Sequence, residues 1–203
     1  MTGQARKRGP RGDITAHHLL TAADRLLRTG GSEALSLRGV AREAGVTPNT
    51  LYTYFTDMAD LRNRLGDRFL SGLDLSLLTG ATPAVSLRRF LVHVLDVFAA
   101  SPGHVELLAS QRIAGVGAFA LNEALLTFFM STGHSQERAA GITRFVTEWV
   151  HGRLLLSPSN SGSATFQTAL SDIDLKRFPR TAATLTTPDD EAALDLLIAA
   201  FTT

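Results

Sequence analysis

Residues 35–55 read LSLRGVAREAGVTPNTLYTYF. Two short helical patterns flank Gly45-Val46-Thr47. Leu37, Val40, Ala41 and Ala44 mark the first, and Leu51 and Phe55 the second. Steps of three and four place each set on one helix face. The small Ala41 lets two helices approach closely. Gly45 takes the positive φ that a tight turn requires, Val46 plugs the angle, and Leu51 anchors the second helix. Ser36 reads as an N-cap, and Thr47-Pro48 as a cap followed by a first-turn proline. Gly45 stops a helix ending near Ala44. The pattern predicts a helix-turn-helix; the plainer alternative is an ordinary helical hairpin.

The outward positions carry chemistry. Thr47, Asn49, Thr50, Tyr52, Thr53 and Tyr54 are polar or amphipathic, and none is acidic. Asn bonds adenine in a bidentate way, and Thr or Pro48 contacts a thymine methyl. Tyr hydroxyls reach phosphate oxygens, and Arg38 on the preceding helix can reach the backbone. Free amides at a helix start add a phosphate site around residues 47–49. This face suits a DNA major groove.

The same periodicity extends outward from this segment. Leu19, Ala22, Ala23 and Leu26 form one stripe, and Met58, Leu61, Leu65 and Phe69 another. Leu87, Leu91, Val94, Leu95 and Phe98 follow, then Leu121, Leu125, Phe128 and Phe129. With no convincing alternation of period two, the chain reads as all-α. Asp13 is the expected cap of the first helix and Gly30-Gly31 its end. Thr56 or Asp57 caps the next helix, Pro102 opens another, and residues 187–191 (TPDDE) open the last. Residues 79–86 read as a short connection and 157–165 as a flexible loop.

Composition narrows the classes. The chain has 203 residues, is 44% hydrophobic and 19% charged, and lacks cysteine. That excludes disulfide scaffolds, Cys-ligated zinc, iron–sulfur clusters and thiol catalysis. No apolar run is long enough for a membrane span, and the basic start is not followed by an apolar stretch. A soluble cytoplasmic protein without cofactor, metal or membrane partner is expected. Residues 1–70 carry 11 Lys/Arg against 7 Asp/Glu, so the N-terminal part is the basic one. Residues 115–120 (GVGAFA) fit a loose GxGxxA pattern, but neither a preceding strand nor a βαβ unit supports it. The chain has no HExxH, GxSxG or phosphate-loop lysine motif. No enzymatic role is expected, a helical enzyme being the remote alternative.

From Ile14 to Leu65 the chain resembles the tetracycline-repressor (TetR) family of bacterial transcriptional regulators. The resemblance rests on Ala22-Ala23, Leu26 and Gly30, and on Leu35-Ser36-Leu37. It continues through Val40-Ala41, Ala44-Gly45-Val46-Thr47, Leu51-Tyr52, Tyr54-Phe55 and Leu61. It implies a three-helix DNA-binding domain joined by a long fourth helix to a helical ligand-binding and dimerisation domain. It also implies a homodimer on a palindromic double-stranded operator, responsive to a small-molecule effector. The recognition helix is then residues 48–54, with Thr47, Tyr52 and Tyr54 on phosphates and Pro48, Asn49 and Thr53 facing bases. The chain departs from the family at Met58, where a phosphate-contacting Lys is usual. The basic tail (Arg6, Lys7, Arg8, Arg11) is the candidate compensation, reaching the backbone or minor groove. The expected division is a flexible tail over 1–12, the DNA-binding domain over 13–56, and the helical body over 57–203.

The body carries no comparable motif. Candidate lining for an apolar effector is Phe90, Phe98, Phe119, Phe128 and Phe145, with Arg112 and Asn122 as polar contacts. His93, Glu106 and His151 are further polar candidates. The alternative for each aromatic is simple core packing. The helix over 138–156 shows Ile142, Phe145, Val146, Trp149 and Val150, and the last helix shows Leu194, Leu197, Ile198 and Phe201. These two stripes are the candidate dimer interface, a four-helix bundle across a two-fold axis; burial within one chain is the alternative. A DNA-binding regulator without a ligand is the remaining alternative to an effector-released repressor.

Overall fold

The structure is a computed structural model that describes residues 14–80, 82–156, 164–185 and 190–202. It is all-helical, with no strand among the described residues. The backbone clusters into two compact units.

The first unit runs to Phe69 and takes in residues 102–115. It holds α1 (Ala16–Gly30), a 3-10 turn (Ser32–Ala34), α2 (Leu37–Glu43), α3 (Pro48–Leu51), most of α4 (Met58–Leu70), and α6 (Pro102–Ser110). Its core is Leu19, Ala22, Ala23, Leu27, Leu35, Val40, Ala41, Leu51, Phe55, Leu61, Leu65 and Leu107. The stripes read from the sequence therefore meet here, with Met58 packed half-buried on their edge. The cap of α1 is Thr15, whose Oγ1 accepts from the His18 N–H at 3.2 Å, and not Asp13. Asp13 itself lies outside the described residues. Asp57 caps α4, accepting from the Asp60 N–H at 2.8 Å.

Helix α6 packs on α1 and on the 3-10 turn. Gly103 makes this approach possible. A Cβ there would lie 2.5 Å from the Leu27 carbonyl oxygen, inside any permissible contact. Buried His104 stacks on Phe69 at 4.2 Å and sets its Nε2 3.1 Å from Asp24. Glu106 accepts from the Ser32 N–H at 3.3 Å and from its hydroxyl at 2.5 Å. Asn63 of α4 grips the segment after α6: its Nδ2 donates to the Ala114 carbonyl at 2.7 Å, and its Oδ1 accepts from the Ala114 N–H at 2.8 Å.

The second unit comprises residues 70–101 and 116 onward. It holds a 3-10 turn (Leu75–Leu78), α5 (Pro83–Ala99), α7 (Val116–Ser131), α8 (Gln136–Leu155), α9 (Ala164–Ser171), a 3-10 turn (Leu175–Arg177), α10 (Pro179–Thr184) and α11 (Asp190–Phe201). α7 packs on α8, and α5 packs on α8, α11 and the first 3-10 turn. Arg88 of α5 pairs with Asp195 of α11. The connection expected over 79–86 is shorter: Pro83 already occupies the first turn of α5, as a proline with its fixed φ and missing N–H can. Helix α8 starts two residues earlier than expected because Ser135 caps it, its hydroxyl accepting from the Arg138 N–H at 3.3 Å. The loop expected over 157–165 and the TPDDE cap fall largely outside the described residues.

Candidate nucleic-acid interface

The helix-turn-helix forms where its residues require it. Ser36 accepts from the Gly39 N–H at 3.1 Å and starts α2. Gly45 closes the helix at φ +68°, a conformation that costs a Cβ-bearing residue more than glycine. The Val46 N–H then donates to the Ala41 carbonyl at 2.9 Å, and its side chain enters the core edge. Thr47 sits at the N-cap of α3, but its side chain makes no capping bond. Its hydroxyl meets the Thr50 hydroxyl at 3.0 Å instead. The ring nitrogen of His18 lies 3.3 Å from the Ala44 carbonyl, tying α1 to the end of α2. Spacing offers no cue to this tie, because the two residues are 26 positions apart.

The second helix is shorter than residues 48–54. α3 proper ends at Leu51, and residues 52–55 continue in a tighter turn through Thr53 N–H to Thr50 O (3.2 Å) and Tyr54 N–H to Leu51 O (2.9 Å). Leu51 is fully buried beneath it. Arg38, Thr47, Pro48, Asn49, Tyr52 and Thr53 are exposed, and Thr50 is half-buried. Tyr52 stands out, 59% exposed.

Tyr54 departs from expectation. Its hydroxyl donates to the Ile14 carbonyl and its ring is half-buried against the core. The side chain fastens the start of α1 to the turn, so its hydroxyl is engaged inside the protein. The four tail residues Arg6, Lys7, Arg8 and Arg11 lie outside the described residues.

Electrostatics favour an anion along this edge. Glu43, the acid preceding the turn, is held by Arg25 at 2.8 Å. Asp60, after the turn, is bonded by Arg64 at 2.8 Å and by the Thr56 N–H at 3.0 Å. The Arg64 hydrogen bond, with the Thr56 amide, holds the Asp60 carboxyl below the usual carboxylate range despite partial burial. Arg38 and Arg42 enter no ion pair among the described residues, so their charges face solvent unneutralised.

Candidate effector residues do not converge on one lining. Phe90, Phe98 and Phe128 are core, whereas Phe119, Asn122 and Phe145 are exposed. Arg112 is exposed and belongs to the first unit. His93 accepts from the Asp74 N–H at 3.1 Å. His151 is better placed: Nδ1 lies 2.8 Å from the Thr147 carbonyl, which fixes the proton there, and Phe98 meets the ring edge-on at 6.1 Å. Nε2 is then a buried acceptor with no hydrogen-bond partner, as is the buried hydroxyl of Thr143.

The candidate dimer stripes divide. Ile142, Val146, Val150, Leu194, Leu197 and Ile198 are covered by the chain's own helices. They form part of its core. Phe145 is exposed, Trp149 and Phe201 are half-buried, and Phe145 and Phe201 meet at 5.5 Å.

Residues 19–65 match the family described as bacterial regulatory proteins, tetR family. The N-terminal segment therefore carries a TetR-type DNA-binding region. The TetR-family match begins within α1 and ends within α4, so it covers the whole helix-turn-helix. The chain is also similar to the HTH-type transcriptional regulator AcrR of Shigella flexneri, 34% identical over 97 residues. That similarity spans 45% of this chain and 45% of AcrR. Apo ActR from Streptomyces coelicolor shares the fold at 20% identity with a TM-score of 0.82, covering 93% of this chain and 95% of ActR. ActR has also been solved with actinorhodin bound. BioQ, solved with its double-stranded DNA operator, shares the fold at 18% identity with a TM-score of 0.65, covering 93% of this chain and 98% of BioQ. No single described helix is long and apolar enough to cross a membrane.

Proposed function

We propose that this chain is a TetR-family regulator, a homodimeric transcriptional repressor that reads a palindromic operator and is released by a small, largely apolar effector. The observation that carries the DNA reading is the acid-free exposed edge of Arg38, Thr47, Pro48, Asn49, Tyr52 and Thr53, supported from beneath by buried Leu51. Asn49 and Thr53 would read base edges while Thr47, Tyr52 and Arg38 hold phosphates. Two copies related by a two-fold would place two such edges about 34–36 Å apart, one turn of DNA. The remaining exposed apolar surface on α8 and α11, at Phe145, Trp149, Leu196 and Phe201, supports a second copy covering those helices.

The effector reading is supported by the orphaned Nε2 of His151 and the orphaned hydroxyl of Thr143. Buried polar atoms are rarely left unpaired, and an apolar molecule carrying a hydroxyl or N–H would satisfy the His151 acceptor. The response would run through α6, which is held to the 3-10 turn by the Glu106–Ser32 hydrogen bonds and lies against α1 at His104–Asp24, while its chain neighbours α5 and α7 belong to the second unit. The effector must prefer the conformation that binds DNA less well, since only differential affinity shifts an equilibrium.

Genome-wide operator mapping tests this function, followed by anisotropy titrations on the recovered palindrome and its single-base variants. Asn49→Ala should lose about 1–3 kcal/mol on the intact site and nothing further when one particular base pair is already changed. Equal loss on every sequence would show that Asn49 reads no base.

A further inference from the structure

The first unit contains a cleft of about 210 Å³ between the 3-10 turn that follows α1, α4 and α6. Its floor is Leu35 and Leu107. Its polar lining is Glu33 on the 3-10 turn, Glu106 on α6 and Arg62 on α4, together with Ser32 and Ser110. Opposite charges that face one cleft ordinarily collapse into an ion pair. Here Arg62 forms none with either carboxylate among the described residues, so every such nitrogen–oxygen distance exceeds the ion-pair range. The three charges are carried by three different elements: the 3-10 turn, the middle of α6 and the first half of α4. Glu106 is further restrained by Ser32, which donates to it from both its amide and its hydroxyl.

We propose that this cleft is a binding site for a small zwitterion, an amino-carboxylate whose ammonium meets Glu33 and Glu106 and whose carboxylate meets Arg62. A ligand with separated opposite charges bridges a gap that the side chains do not close themselves. Arg62 offers the carboxylate a planar two-pronged donor, and the apolar floor receives the methylene spacer. The site differs from the candidate effector residues around His151, which lie in the other unit. Its ammonium would compete with Ser32 for Glu106, the contact that joins α6 to the corner leading into the helix-turn-helix. Occupancy would therefore loosen that corner.

The test is calorimetric titration of the full chain, without DNA, using β-alanine and γ-aminobutyrate as probes. Butylamine and butyrate serve as single-charge controls. At least one zwitterion should bind saturably with one-to-one stoichiometry, at least tenfold tighter than either control. Arg62→Gln and Glu106→Gln should each weaken it at least tenfold, with circular dichroism reporting that both variants are folded. Arg89→Gln, on α5, should leave it unchanged. Three results would overturn the proposal: no saturable binding at tens of millimolar, butylamine binding as tightly as the zwitterions, or Arg62→Gln binding like wild type. Because no operator is present, failure here leaves the DNA reading standing, and failure of the DNA reading leaves this titration unaffected.

Discussion

Replacing Tyr54 by Phe removes one oxygen and separates two roles that the sequence alone could not tell apart. In the structure that hydroxyl donates to the carbonyl of Ile14, at the entrance to α1, from a half-buried ring. Removing the donor leaves the carbonyl short of one partner, and a typical net hydrogen bond of this kind is worth about 0.5–1.5 kcal/mol. For a chain of this size 1 kcal/mol corresponds to about 2–4 °C in Tm. The expected result is a fall in Tm of that order by differential scanning calorimetry. Operator affinity, measured by anisotropy well below Tm, should stay within about threefold. A hydroxyl that instead bonded a phosphate would behave oppositely. Its loss would cost about 1.5–3 kcal/mol of binding, tenfold or more, on every DNA sequence, with stability unchanged. Tyr52→Phe is the internal comparison, because Tyr52 is 59% exposed and does not pack on the core that holds Tyr54. It should lose DNA affinity and keep its Tm. If Tyr54→Phe keeps its Tm and loses tenfold in affinity, the fastening role assigned to Tyr54 is wrong.

The helix-turn-helix was legible because its determinants are local. Ser36, Ala41, Gly45, Val46 and Leu51 act within one turn of the residues they position, so spacing reveals them. Caps were legible only in part: Asp13 and Thr15 are both competent by residue type, and only the folded backbone shows Thr15 accepting from His18. Tyr54 misled because its partner, Ile14, lies 40 positions away, and an amphipathic residue beside exposed Tyr52 carries the same sequence character. The packing of α6 on α1 and on the 3-10 turn was hidden for the same reason. Gly103, His104 and Glu106 have no meaning until Leu27, Asp24 and Ser32 are brought beside them. In the body, periodicity identified apolar faces but not what covers them. Leu194, Leu197 and Ile198 form a stripe that would suit a partner equally well, and the chain's own helices claim it.

Gly103→Ala should destabilise the first unit by about 1–3 kcal/mol, since the new Cβ would strike the Leu27 carbonyl at 2.5 Å and the backbones must separate; chemical denaturation measures it, and an unchanged midpoint would mean the helices do not approach so closely. Neutralising Arg6, Lys7, Arg8 and Arg11 together should flatten the log–log salt dependence of operator binding by about 0.9 for each phosphate no longer neutralised, and an unchanged slope would remove the tail from the interface. His104 gives a pH prediction. Burial holds its imidazole down at about 4 from an ordinary 6.5, only partly opposed by Asp24, so between those values the unfolded chain binds a proton that the folded chain refuses. Its contribution to stability is complete above pH 6.5 and falls away as pH drops toward 4, with a slope of at most about 1.4 kcal/mol per pH unit. His104→Phe keeps a ring stacked on Phe69 and removes the titration, so urea unfolding of the variant should fall less steeply across that window; parallel curves would show that the acid sensitivity arises elsewhere.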